Sequence, residues 1–192
     1  MITTIVKALC RAIVPIMVVM SMFGSAALAA ELAGATFPDT LKVEGTTLKL
    51  NGLGLRKKAM FKVYVGGLYL EALSKDPGAI LATDQAKAIR MHFLRDLEKS
   101  QLVGAFKEGF EENAKDKTGQ KAAFDKMLAL LPDVKQGDTL TFAYLPVKGT
   151  TLQIGNKELG VFPGKGFADA AFSIYLGPKP PSEELKKGML GI

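Results

Sequence analysis

Residues 50–71 read LNGLGLRKKAMFKVYVGGLYLE. The stretch reads as two β-strands joined by a short basic turn at Lys57-Lys58-Ala59. Continued in strict alternation from Thr47-Leu48-Lys49-Leu50, the first strand places Leu48, Leu50, Gly52, Gly54 and Arg56 on one face. Arg56 then ends an apolar row, although the two glycines permit a bulge that would break the register. In the second strand Phe61, Val63, Val65 and Tyr69 share one face. Lys62, Tyr64, Leu68 and Leu70 share the other. Both faces are largely apolar, as in a central strand packed on each side. Gly66-Gly67 allows a bulge or a close approach by a neighbouring backbone or ligand.

Working outward, residues 41–50 give a β-hairpin around Glu44-Gly45-Thr46, and residues 31–40 read as a linker entering the fold. Lys75-Asp76-Pro77-Gly78 opens a short helix. Lys87 to Arg95 is a strand with Ile89, Met91 and Phe93 on one face and Arg90 and His92 on the other. Arg95 repeats the pattern of a cation after an apolar row, and an ion pair with Asp96 or Glu98 is its expected structural role. Leu97–Lys115 is an amphipathic helix with Leu102, Phe106, Phe110 and Asn113 on its stripe. A second helix, Gly119–Leu131, turns Phe124, Met127, Leu128 and Leu131 inward. Strands follow at 139–145, 150–154 and 157–162, then helices at 167–176 and 182–190. The order, clustered strands with helices grouped between them, predicts one α+β domain over residues 30–192. It is a large antiparallel sheet with helices on one face.

The first 29 residues are expected to be a secretory signal peptide. Lys7 and Arg11 precede an apolar run from Ala12 to Met20, which closes on Ala27-Leu28-Ala29. The apolar run is shorter than the ~20 residues that span a bilayer. The only cysteine, Cys10, lies inside this leader. The exported chain then has no disulfide or thiol nucleophile, and a periplasmic location is expected, with no transmembrane segment after cleavage. The formal charge of +6 falls to about +4 once Lys7 and Arg11 leave with the leader. No block of like charges or aromatic RNA-binding motif is present, so nucleic acid is not an expected partner.

Catalytic constellations are scarce. His92 is the sole histidine; with no cysteine in the exported chain a Cys-His pair is excluded, and a three-ligand zinc site is not expected. No Walker A or complete dinucleotide fingerprint is present, and neither cofactor nor metal is expected. Glu111-Glu112 and Glu183-Glu184 fall on solvated helix faces. Arg56 remains. An inward guanidinium needs an acid, carbonyls or an anionic ligand around it. Its planar donor fork suits a carboxylate, and Tyr64 on the next strand offers a hydroxyl to the same place.

These residues carry a resemblance. Gly52-x-Gly54-x-Arg56, Lys62-Val63-Tyr64-x-x-Gly67-Leu68-Tyr69-Leu70, His92-Phe93-x-Arg95-Asp96, Gly164-Lys165-Gly166-Phe167 and Phe172-x-Ile174-Tyr175-Leu176-Gly177 together resemble the chalcone isomerase-like family, in its bacterial exported branch. The resemblance covers most of residues 36–190. It implies an open-faced β-sandwich in which a large antiparallel sheet is covered by helices, with a ligand cleft between. Plant enzymes of the family close a flavanone ring without a cofactor, using an arginine that Arg56 matches. Other members bind fatty acids without catalysis, an arginine and a tyrosine holding the carboxylate.

The chain departs from the enzymes where they carry further polar groups. Tyr64 stands where they have threonine. Their tyrosine and asparagine on the long helix fall near Lys99 and Phe106 here, and their late hydroxyl position falls at Ile174. The chain therefore resembles the non-catalytic members more than the enzymes. The expectation is a protein that binds a small carboxylate-bearing amphiphile, with Arg56 and Tyr64 at its head and Phe106, Phe110 and Ile174 along its tail. A cofactor-free intramolecular lyase (isomerase), using Arg56, is the alternative reading. A structural or interaction protein with Arg56 internally satisfied is the third.

Overall fold

The computed structural model describes residues 29–192. The expected leader lies outside the described residues except for Ala29. Nine strands and five helices follow in chain order: β1 (Ala29–Leu32), β2 (Ala35–Pro38), β3 (Thr40–Val43), β4 (Thr46–Lys58), β5 (Phe61–Leu70), α1 (Pro77–Ala82), β6 (Lys87–Phe93), α2 (Lys99–Asn113), α3 (Lys117–Leu130), β7 (Thr139–Leu145), β8 (Gly149–Ile154), β9 (Lys157–Phe162), α4 (Lys165–Leu176) and α5 (Glu183–Leu190). Strands β3 to β9 form one antiparallel sheet in sequential order. The architecture is mixed α+β, with helices gathered on one face of the large sheet. An ion pair of Lys148 with Glu44 ties the β7–β8 loop back to the β3–β4 turn, and Glu158 stands 3.7 Å from the same amine.

Alternation builds two cores, one on each face. Leu68, Leu70, Ile89, Met91, Phe93, Leu140, Phe142 and Tyr144 face the helices and join one continuous apolar cluster with α2, α3 and α4. Leu48, Leu55, Val65, Tyr69, Ala88 and Ala143 face the other way, beneath β1 and β2. Burial of this kind stabilises by roughly 25 cal/mol per Å² of apolar surface. Helix ends are closed by side chains: Asp76 caps α1, Asp116 caps α3, and the Ser182 hydroxyl accepts from the Leu185 N–H of α5.

Three expectations change. Residues 31–40 are not a linker: most of them fold into the β1–β2 hairpin and the start of β3. Ala33 and Gly34 take left-handed turn conformations (φ 54° and 85°). Phe37 from this hairpin is buried against the bare backbone of Gly67, and the Tyr69 hydroxyl donates to the Pro38 carbonyl at 3.0 Å.

The face of β4 is not continuous either. The register shifts between Leu50 and Gly52, so Asn51 is an extra residue and the strand turns over there. Leu48 and Leu50 point to the same side as Leu53 and Leu55. Gly52, Gly54 and Arg56 point to the helix-covered side.

Arg95, beyond the end of β6, makes no ion pair with Asp96 or Glu98. Its guanidinium stacks 4.8 Å above the Phe61 ring, while Asp96 accepts from Lys135 Nζ and the Gln136 N–H.

The glycines of β4 have a structural reason. A Cβ at Gly52 would collide with the Gly188 carbonyl, and one at Gly54 with the Leu185 carbonyl. Helix α5 thus rests directly on the strand backbone. Asn51 fixes it there: its amide donates to the Met189 and Ser74 carbonyls, each at 2.9 Å, and its oxygen accepts from the Ser74 N–H at 2.9 Å.

Candidate functional site

The bulge at Asn51 sets which side Arg56 faces. Arg56 then pairs in register with Tyr64 on β5, so both side chains project from neighbouring strands on the helix-covered face. Arg56 is half-buried. Its Nη1 donates to the Lys57 carbonyl. Among the described residues no carboxylate pairs with it, so most of its donor fork is unused by protein.

Tyr64 packs edge-on against Phe93, ring centroids 5.9 Å apart. Burial pushes its phenol well above the ordinary value, while Arg56 pulls the other way. The hydroxyl is therefore neutral across the physiological range and acts as a hydrogen-bond donor, not as a base. It makes no hydrogen bond to the described residues.

Tyr175 of α4 completes the surroundings. Its hydroxyl stands 3.1 Å from the Met91 sulfur. Burial, and next the neighbouring Tyr64, raise its phenol well above the usual range. Sequence reasoning quoted Tyr175 within a motif but did not place it in the site. The signal was present: Tyr175 is buried on the helix that carries Ile174, and buried tyrosines need a polar neighbour.

Phe106, Phe110 and Ile174 all lie in the helix-covered core, but as close-packed residues and not as the walls of an open cleft. Phe106 tilts against Phe142 with centroids 5.5 Å apart, and Phe110 stacks on Phe124 at 4.1 Å. Gly109 leaves no room for a Cβ beside Ile174. The structure brings Arg56 and Tyr64 together at the rim of this core, with Phe93, Met91 and Tyr175 next inward. Lys99 stands apart, donating to the Ala129 carbonyl at 2.6 Å on the outside.

A groove of about 200 Å³ opens on the opposite, less covered face of the sheet. Lys42, Arg90, Thr141, Thr151, Gln153 and Asn156 are among its lining residues. His92 projects from that face too and lies half-buried against Phe37, centroids 6.5 Å apart. Among the described residues no group of three His, Cys, Asp or Glu side chains is placed to hold a metal ion. No described helix is long and apolar enough to cross a membrane.

Arg56 and Tyr64 thus set a guanidinium and a protonated phenol side by side at the rim of the helix-covered core. The chalcone isomerase-like family model matches residues 29–191, and the chain belongs to that family. No curated protein matches it. Among solved structures, a fatty-acid binding protein of Arabidopsis thaliana is similar in fold, with a TM-score of 0.68 at 17% sequence identity. That likeness covers 85% of this chain and 96% of the other.

Proposed function

We propose that this protein binds the carboxylate head of a small amphiphile such as a fatty acid, through Arg56 and Tyr64, and performs no chemistry on it. The observation that carries this reading is the Arg56–Tyr64 pair. Among the described residues, a guanidinium with most donors unused stands opposite a hydroxyl without a hydrogen-bond partner. A carboxylate satisfies both at once: it accepts from the guanidinium fork and from a phenol that burial keeps protonated. The same protonated phenol is a poor general base, and the flanking groups Phe93, Met91 and Tyr175 supply no other.

Membership of the family and the likeness to a plant fatty-acid binding protein support the same reading. The acyl tail enters between sheet and helices, where Phe106, Phe110 and Ile174 now touch their neighbours, so binding requires those side chains to move aside. The N-terminal leader adds the proposal that the protein works in the periplasm.

The test is native mass spectrometry and lipid extraction of protein purified without detergent. Co-purified fatty acid that is lost in Arg56→Gln supports the proposal. Turnover of a chalcone-like substrate that disappears in the same variant would replace it with the intramolecular lyase reading.

A further inference from the structure

The hairpin that bears Arg56 and Tyr64 ends in an exposed apolar pair. Met60 is 95% exposed and Phe61 60%. Single exposed apolar residues are ordinary on protein surfaces. Here two adjoin at the end of a β-hairpin, and three exposed cations surround them, Lys58, Lys62 and Arg95, with Lys57 beside them in an ion pair. The Arg95 guanidinium lies over the Phe61 ring itself. From Gly45 to Leu70 the chain has no acidic residue. Of the acids nearby, Glu184 pairs with Lys57 at 2.9 Å and Asp96 with Lys135 at 3.0 Å.

We propose that this hairpin tip docks on an anionic membrane surface. Met60 and Phe61 enter the headgroup region, while the cations hold lipid phosphates around them. A two-residue turn offers far less area than the roughly 800 Å² per partner of a stable protein interface. It is enough for interfacial insertion, which needs a few apolar side chains and a basic cluster. Docking by the tip also brings the Arg56–Tyr64 pair, on the same two strands, up to the bilayer and gives an amphiphile a short transfer path. That last clause rests on the ligand-binding reading; the membrane contact does not.

The test is co-sedimentation of residues 29–192 with vesicles of phosphatidylethanolamine and phosphatidylglycerol, and with vesicles of phosphatidylcholine alone. Using residues 29–192 leaves out the apolar N-terminal segment. The wild type is expected to bind the anionic vesicles, less so as salt rises, and to leave the neutral ones in solution. Each cation removed, as in Lys58→Gln or Lys62→Gln, should weaken partitioning on the order of fivefold. The Met60→Asp/Phe61→Asp double variant should weaken it more than tenfold with an unchanged circular dichroism spectrum. Arg56→Gln should still bind vesicles, which separates this result from failure of the ligand reading. No binding to anionic vesicles by the wild type overturns the proposal. So does undiminished binding by the double aspartate variant, which would point to an acidic protein partner read by charge alone.

Discussion

Arg56 and Tyr64 face each other across β4 and β5 on the helix-covered side of the sheet. They do so because Asn51 is an extra residue in β4. Without that bulge, Arg56 would follow Leu48 and Leu50 onto the opposite face. The Arg56–Tyr64 pairing is therefore a consequence of the element that docks α5, since Asn51 also holds the end of that helix.

Asn51→Ala removes three hydrogen bonds, two to carbonyls and one from the Ser74 N–H. At about 1 kcal/mol each, the variant should lose about 3 kcal/mol of stability in urea unfolding. Asn51→Asp should lose a similar amount, because its carboxylate cannot donate to the Met189 and Ser74 carbonyls.

Two glycine substitutions should move stability in opposite directions. Gly54→Ala drives a methyl group into the Leu185 carbonyl and should cost about 3 kcal/mol, with α5 lifted from the sheet. Gly104, on the exposed side of α2, has open space around it, so Gly104→Ala should add up to about 1 kcal/mol. Chemical denaturation of both variants checks the pair.

Ala59 in the β4–β5 turn holds a left-handed conformation, φ 53°, which costs a residue with a Cβ about 1 kcal/mol. Ala59→Gly should recover about that amount, seen as a raised Tm with vesicle binding unchanged.

The buried phenols set an alkaline limit. Burial raises Tyr69 from 10.0 to about 12, and Tyr64 and Tyr175 move in the same direction. A folded pKa above the unfolded one means that the native state keeps protons the unfolded chain has lost. The stabilisation is complete below pH 10 and falls as pH rises through 12. Tyr69 alone should remove about 2 kcal/mol by pH 12. Urea midpoints between pH 8 and 12 should be level at first and then drop. Tyr69→Phe should drop less steeply.

Most of the sheet was legible in the sequence because alternation is direct evidence of a half-buried strand. Leu140, Phe142 and Tyr144 of β7, and Ile89, Met91 and Phe93 of β6, face the helices as their spacing predicts. Tyr64 facing Arg56 did not follow from alternation, which keeps Arg56 with Leu48 and Leu50; the bulge in β4 brings the two to one face. Gly52 and Gly54 marked a bulge as possible but not its place, because Asn51 acquires its meaning only from Ser74 and Met189, farther along the chain. The β1–β2 hairpin was missed because its four-residue strands are too short for a periodic pattern, and Pro38 reads as a breaker. Phe106, Phe110 and Ile174, read from the sequence as pocket walls, are close-packed in the helix-covered core. Sequence spacing cannot separate a cleft wall from a packed core, because both require the same apolar stripe.

Isothermal titration of residues 29–192 with palmitate tests the central claim most directly, comparing wild type with Arg56→Gln and using hexadecanol as the uncharged control. Arg56 is half-buried and among the described residues bonds to the neighbouring Lys57 carbonyl alone, so the variant should fold. The account predicts that Arg56→Gln binds palmitate at least tenfold more weakly, the loss of a charge-assisted hydrogen bond of about 1.5–3 kcal/mol, while hexadecanol binding is unchanged. Equal affinity of the two proteins for palmitate would contradict it.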